Sequence, residues 1–146
     1  MTQTAQFWDK IAVKYAASPI GNLEAYEYTL GRTRSYLGSQ DSVLEIGGGS
    51  GSTALLLAKN VAAITGTDIS KEMTRIATEK AQTEEAGNAS FVVASAIEAA
   101  QTAQSYDAVL GFNILHLTDP LEGVLETLHR EMKSGSLLVT KTPCLR

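Results

Sequence analysis

Apolar positions along the chain switch repeatedly between a helical and an alternating or continuous period. Residues 4–16 place Phe7, Trp8, Ile11, Ala12 and Tyr15 on one helical face, and Ser18-Pro19-Ile20-Gly21 breaks the pattern. A second helix is predicted over 23–37, capped by Asn22 and stopped by Gly38. Residues 42–46 read as a short buried strand, 52–59 as a helix apolar nearly all round, and 63–67 as the next strand. Ser70 caps a helix with Met73, Ile76, Ala77 and Ala81 on one face, and Gly87 ends it. Strands follow at 90–94 and 108–112. Asp119-Pro120 then opens a helix as cap and first residue, with Leu121, Val124, Leu125, Leu128 and Met132 as its stripe. Ser134-Gly135 ends it, and 136–142 is a fifth strand. Strand and helix alternate, so right-handed crossovers make the fold α/β, a doubly wound parallel sheet with helices on both faces and two helices ahead of it.

Composition narrows the function classes. The chain has 146 residues, 44% of them hydrophobic and 19% charged, enough for one packed core. Its net charge of −4, with no Lys/Arg cluster, argues against a nucleic-acid partner. The lone Cys144 allows no internal disulfide and no metal set, so a reduced, cytoplasmic setting without metal is expected. No apolar run approaches membrane-spanning length, and the first ten residues lack the basic start and apolar run of a signal peptide.

The candidate chemistry begins at Glu45-Ile46-Gly47-Gly48-Gly49-Ser50-Gly51, where a strand runs into a glycine turn and then a helix. Glycine accepts positive φ without steric penalty, and absent side chains let a ligand lie against the backbone. The helix start beyond the turn offers free N–H groups. A dinucleotide fingerprint, Gly-x-Gly-x-x-Gly counted from Gly47, fails at Ser52; the glycines instead stand at 47, 49 and 51. Asp68 follows Gly47 by about 20 residues, at the end of the neighbouring strand, where a carboxylate accepts from both hydroxyls of a ribose. A ribose acid alone does not separate a methyl donor from NAD.

The pattern Glu45-x-Gly47-x-Gly49-x-Gly51 resembles the first motif of class I S-adenosylmethionine-dependent methyltransferases, small-molecule type, and the resemblance extends over residues 7–142. It implies a Rossmann-like core in which Glu45 and the glycines hold the methionine portion of S-adenosylmethionine, Asp68 the ribose, and Ile69 the adenine face. Ser95-Ala96 stands where many members have Asp-Ala, so Ser95 and Ala96 are the adenine candidates, with the acid missing. Asn113, in the fourth motif, is expected to face the cofactor, and Tyr15 to contact the methionine carboxylate. His116 is the candidate general base, set against a purely packing role. Asn113-Ile114-Leu115-His116 departs from the Asn/Asp-Pro-Pro-Tyr of amino-group enzymes and favours a small-molecule acceptor.

The expected organisation is a helical segment at 1–40 acting as a lid and a core at 41–146. The strand order is 3-2-1-4-5, without the strand pair that follows the fifth strand in the family. That makes the apolar strand 137–140 an open edge, expected to be covered in a homodimer unless the chain is a fragment. The alternatives are an NAD(P)-binding oxidoreductase and a non-catalytic S-adenosylmethionine-binding module.

Overall fold

The computed structural model describes residues 3–115 and 120–142. Five parallel strands form one sheet, as the alternation predicts, and their order, β3-β2-β1-β4-β5, is the one the family resemblance implies. They are β1 (Ser42–Glu45), β2 (Ala63–Asp68), β3 (Ala89–Val93), β4 (Ala108–Phe112) and β5 (Leu137–Lys141). At the centre, Glu45 of β1 is in register with Gly66 of β2 on one side and Leu110 of β4 on the other.

Side-chain alternation divides the core in two. Val43, Ile64, Ala108 and Leu110 face α2 (Leu23–Arg34) and α3 (Ser52–Leu57), burying Leu30, Ala54 and Leu57. Leu44 and Val109 point the other way, toward Ala99 and Ala100 of α5 (Ala96–Ala100) and Val124 and Leu128 of α6 (Leu121–Glu131). The chain leaves β1 toward β2 and β3, then crosses back to β4. The crevice between β1 and β4 is therefore a topological switch point, where ligands of such sheets bind.

Several local expectations are corrected. α1 (Gln3–Ala17) buries Ala5 and Ala12, whereas Phe7 is 56% exposed. The helix lies against α4 (Lys71–Thr83), and small residues let two helices approach closely, so the aromatics are turned aside. α2 ends at Arg34, with the Ser35 N–H reaching Gly31 O, ahead of Gly38. α4 ends not at Gly87 but through Glu85, which takes a left-handed φ of 55° while the Ala86 N–H returns to Ala81 O. Pro120 is the N-cap of α6 rather than its first residue, because its ψ of 128° is extended. Asp119 lies outside the described residues. Leu121 and Leu125 are exposed, and the buried stripe of α6 is Val124, Thr127 and Leu128. The short α5 was not foreseen, although Ser95 and Glu98 carry its capping signature.

Candidate functional site

The glycine turn is built by backbone geometry. Gly47, Gly49 and Gly51 have φ of 69°, 60° and 84°, all in the left-handed region that a Cβ disfavours. Two of them are also packed. A Cβ on Gly47 would meet Ile114 Cγ1 at 2.5 Å, and one on Gly51 would meet Ala77 Cβ at 2.7 Å and the Phe91 ring at 3.0 Å. Gly49 is different, because a Cβ there would meet nothing within 4 Å. Its bare backbone faces open space, as required where a ligand lies along the chain. Gly48, which the motif spacing leaves unspecified, lies against the Glu45 carboxyl: a Cβ there would stand 2.7 Å from Glu45 Oε1.

Hydrogen bonds lock the turn onto the sheet. The Ile46 N–H donates to Leu110 O on β4, and the Gly48 N–H donates to Thr67 O on β2, both at 2.8 Å. Thr67 Oγ1 donates back to Glu45 O at 2.9 Å. The Asp68 carboxylate accepts from the Gly49 N–H through Oδ2 and from the Ser70 N–H through Oδ1, each at 2.9 Å. Asp68 is thus the brace of the turn as well as its neighbouring acid. Burial pushes its pKa up, opposed by the backbone donors of Ser70 and Gly49.

Glu45 is 3% exposed, and its Oε1 has no hydrogen-bond partner among the described residues. Burial, and behind it the Asp68 charge, push its carboxyl up from 4.5 to about 7.

The structure brings Glu45, the three glycines, Asp68, Ile69, Ser95, Ala96 and Asn113 to one edge of the sheet, at the C-terminal ends of β1 to β4. Ser95 is engaged locally: its Oγ accepts from the Glu98 N–H while Glu98 Oε1 accepts from the Ser95 N–H. That box commits the Ser95 side chain to starting α5, with Ala96 as the first helical residue. Asn113 is exposed, holds a left-handed φ of 57°, and donates its N–H to Lys141 O at 2.7 Å. A non-glycine residue in that region marks a constrained turn. Tyr15 stands on α1 with its ring edge-on to Trp8 at 5.7 Å and is 52% exposed. His116 lies outside the described residues.

One participant escapes sequence reasoning. Asp9 of α1 accepts from Ser70 Oγ at 2.5 Å and from the Glu72 N–H at 3.1 Å. The same Ser70 Oγ accepts from the Met73 N–H as cap of α4. Asp9 therefore moors α1 at the helix start that follows Asp68, and the Ser70 hydrogen bond lowers its pKa. A cavity of about 650 Å³ lies to one side, between α2 and the ends of β4 and β5, beside Tyr28, Arg32, Phe112 and Lys141. Among the described residues no cluster of His, Cys, Asp or Glu gathers to hold a metal, and no helix is long and apolar enough to cross a membrane.

Known proteins share this fold. The YcgJ protein of Bacillus subtilis is 25% identical, over 77% of this chain and 50% of that one, with a TM-score of 0.71. The [4+2]-cyclase SpnF is 21% identical over 94% of this chain and 58% of its own, at 0.80. Geranyl diphosphate C-methyltransferase of Streptomyces coelicolor A3(2) is 16% identical over 80% and 44%, at 0.69. The chain thus spans about half the length of these structures. No curated protein matched. The family model described as a methyltransferase domain matches residues 43–135, from β1 to the turn before β5, and on that match the chain belongs to the methyltransferase domain family.

Proposed function

We propose that the strand-end site binds S-adenosylmethionine and directs its methyl group to a small-molecule acceptor. The observation that carries this reading is the bare Gly49 backbone, braced by Asp68 and facing open space. When bound, the cofactor supplies an activated methyl group on sulfonium. The chain's own residues bind, orient and desolvate, which suits a reaction needing alignment more than a nucleophile. In this reading Glu45, Gly47, Gly49 and Gly51 hold the amino-acid end, Asp68 accepts from the ribose hydroxyls with its remaining lone pairs, and Ile69 lies on the adenine face. Adenine contacts come from the backbone at Ser95 and Ala96, since the Ser95 side chain is spent on its cap. Asn113 faces the cofactor, Tyr15 its carboxylate, and His116 is the candidate base.

Residues 1–40 act as a lid over a core at 41–146, a division supported by the mooring of Asp9 on Ser70. The cytoplasm is the proposed setting, with no nucleic-acid partner, in keeping with the net charge of −4. A homodimer through β5 is supported by Leu137 and Leu138, which are 41% and 42% exposed on that edge strand. Light scattering tests it, a monomer at all concentrations arguing against.

Calorimetric titration with S-adenosylhomocysteine, alongside NAD, tests the cofactor. Binding of the former alone supports the reading, and binding of NAD alone would replace it with a nicotinamide-dependent oxidoreductase. A second reading, cofactor binding without methyl transfer, is favoured by the likeness to SpnF, a cyclase on this fold. Turnover of labelled donor across a panel of acceptors decides between them.

A further inference from the structure

Glu45 ends β1 with its carboxyl packed under the glycine turn, 2.7 Å from where a Cβ on Gly48 would stand. It is almost fully buried, and its Oε1 is an orphaned acceptor. Burying an ionised carboxylate without a donor or a cation is heavily penalised, so such a group keeps its proton or finds a partner. Among the described residues no cation acts on it, the basic side chains of α2, Arg32 and Arg34, included. β2 presents the Asp68 carboxylate, which repels. α2 presents the Tyr26 phenol, which is engaged with Thr53 Oγ1 at 2.9 Å. The turn, α3 and β4 carry no ionisable side chain.

We infer that Glu45 is a proton-linked recognition residue, neutral in the ligand-free chain and ionised when the α-ammonium group of an amino-acid-bearing nucleoside settles beside the turn. The inference rests on the proposed cofactor reading and deepens it by setting the charge the ligand must bring. The balance is simple. The ammonium keeps its protons, the Glu45 proton passes to solvent, and a neutral acid with no partner becomes a carboxylate with a cationic donor. The carboxyl's elevation to about 7 places this exchange near neutrality. A purely structural buried acid would exchange no proton on binding. An adenosine thioether lacking the amino-acid end would also leave Glu45 protonated.

The test is calorimetry on the full chain at about pH 6.5, in two buffers of different ionisation enthalpy, comparing S-adenosylhomocysteine with 5′-methylthioadenosine. S-adenosylhomocysteine should release between half and one proton, and 5′-methylthioadenosine none. Below neutrality the affinity for S-adenosylhomocysteine should fall by up to about tenfold per pH unit, while that for 5′-methylthioadenosine stays flat. Carboxyl ¹³C spectra of the ligand-free protein should show one resonance with a midpoint of about 7, absent in Glu45→Gln. Equal proton release by both ligands, or Glu45 titrating in the ordinary carboxylate range, would overturn the inference while leaving cofactor binding intact. Failure of S-adenosylhomocysteine to bind at any pH would overturn the cofactor reading and the inference together.

Discussion

The Gly49 N–H donates to Asp68 Oδ2 at 2.9 Å, so the glycine turn after β1 and the acid after β2 form one unit. Any change at Asp68 therefore acts twice, on the ligand and on the turn. Asp68→Ala should weaken S-adenosylhomocysteine binding by about 10- to 100-fold or more, the value of one or two hydrogen bonds to a charged acceptor. Asp68→Asn, which keeps one acceptor oxygen, should fall between. Calorimetric Kd values check the order.

Gly49 and Gly51 share a left-handed backbone but differ in surroundings, and their alanine variants should separate binding from stability. Gly49→Ala meets no atom and should cost only the conformational term of about 1–2 kcal/mol, with cofactor binding lost. Gly51→Ala adds a clash with Ala77 and Phe91 and should cost about 1–3 kcal/mol more. Urea unfolding of the two variants measures the difference.

Glu45 gives ligand-free stability a pH dependence of defined sign. Its folded pKa, about 7, lies above the ordinary 4.5, so the folded state holds the extra proton between those values. Stability should be highest below about pH 4.5 for this group, fall as pH rises through 7, and level off above, over a span of about 3 kcal/mol. Glu45→Gln should flatten that slope and unfold at higher denaturant than the parent at pH 8. A parallel pH profile in the variant would contradict the assignment.

Asp9 docks the first helix. Asp9→Ala removes an acceptor of Ser70 Oγ and the Glu72 N–H and should cost about 0.5–2 kcal/mol, the usual value of a cap. Because its folded pKa is lowered, this contribution is present at neutral pH and lost as pH falls through that range. Faster proteolysis around residues 18–22, with the core otherwise intact, is the expected readout.

Features fixed by local chemistry were legible in the sequence. The glycine spacing marks the positive φ, alternation and crossover handedness give the parallel sheet, and the strand order comes from the family resemblance. Asn22 and Ser70 were read correctly as caps because a cap bonds within its own turn. Features set by distant packing were not. Periodicity places Ala12 on the apolar face, where it is buried, but the exposed Phe7 and the buried Ala5 depend on how closely α1 meets α4, which helical periodicity alone does not encode. Asp9 finds Ser70 across 61 positions, and nothing near Asp9 announces it. At Ser95 two signals compete: the family position points to adenine, whereas the Ser-x-x-Glu box of Ser95 and Glu98 commits the side chain to the start of α5.

The central claim is that the turn from Glu45 to Gly51 and the acid Asp68 form the cofactor site, and amide chemical-shift mapping with S-adenosylhomocysteine tests it most directly. The account predicts saturable shifts at Gly47, Gly48, Gly49 and Gly51 and at Asp68 to Ser70, with the α2–β5 cavity quiet. Shifts confined to that cavity, around Tyr28, Arg32 and Lys141, would contradict it.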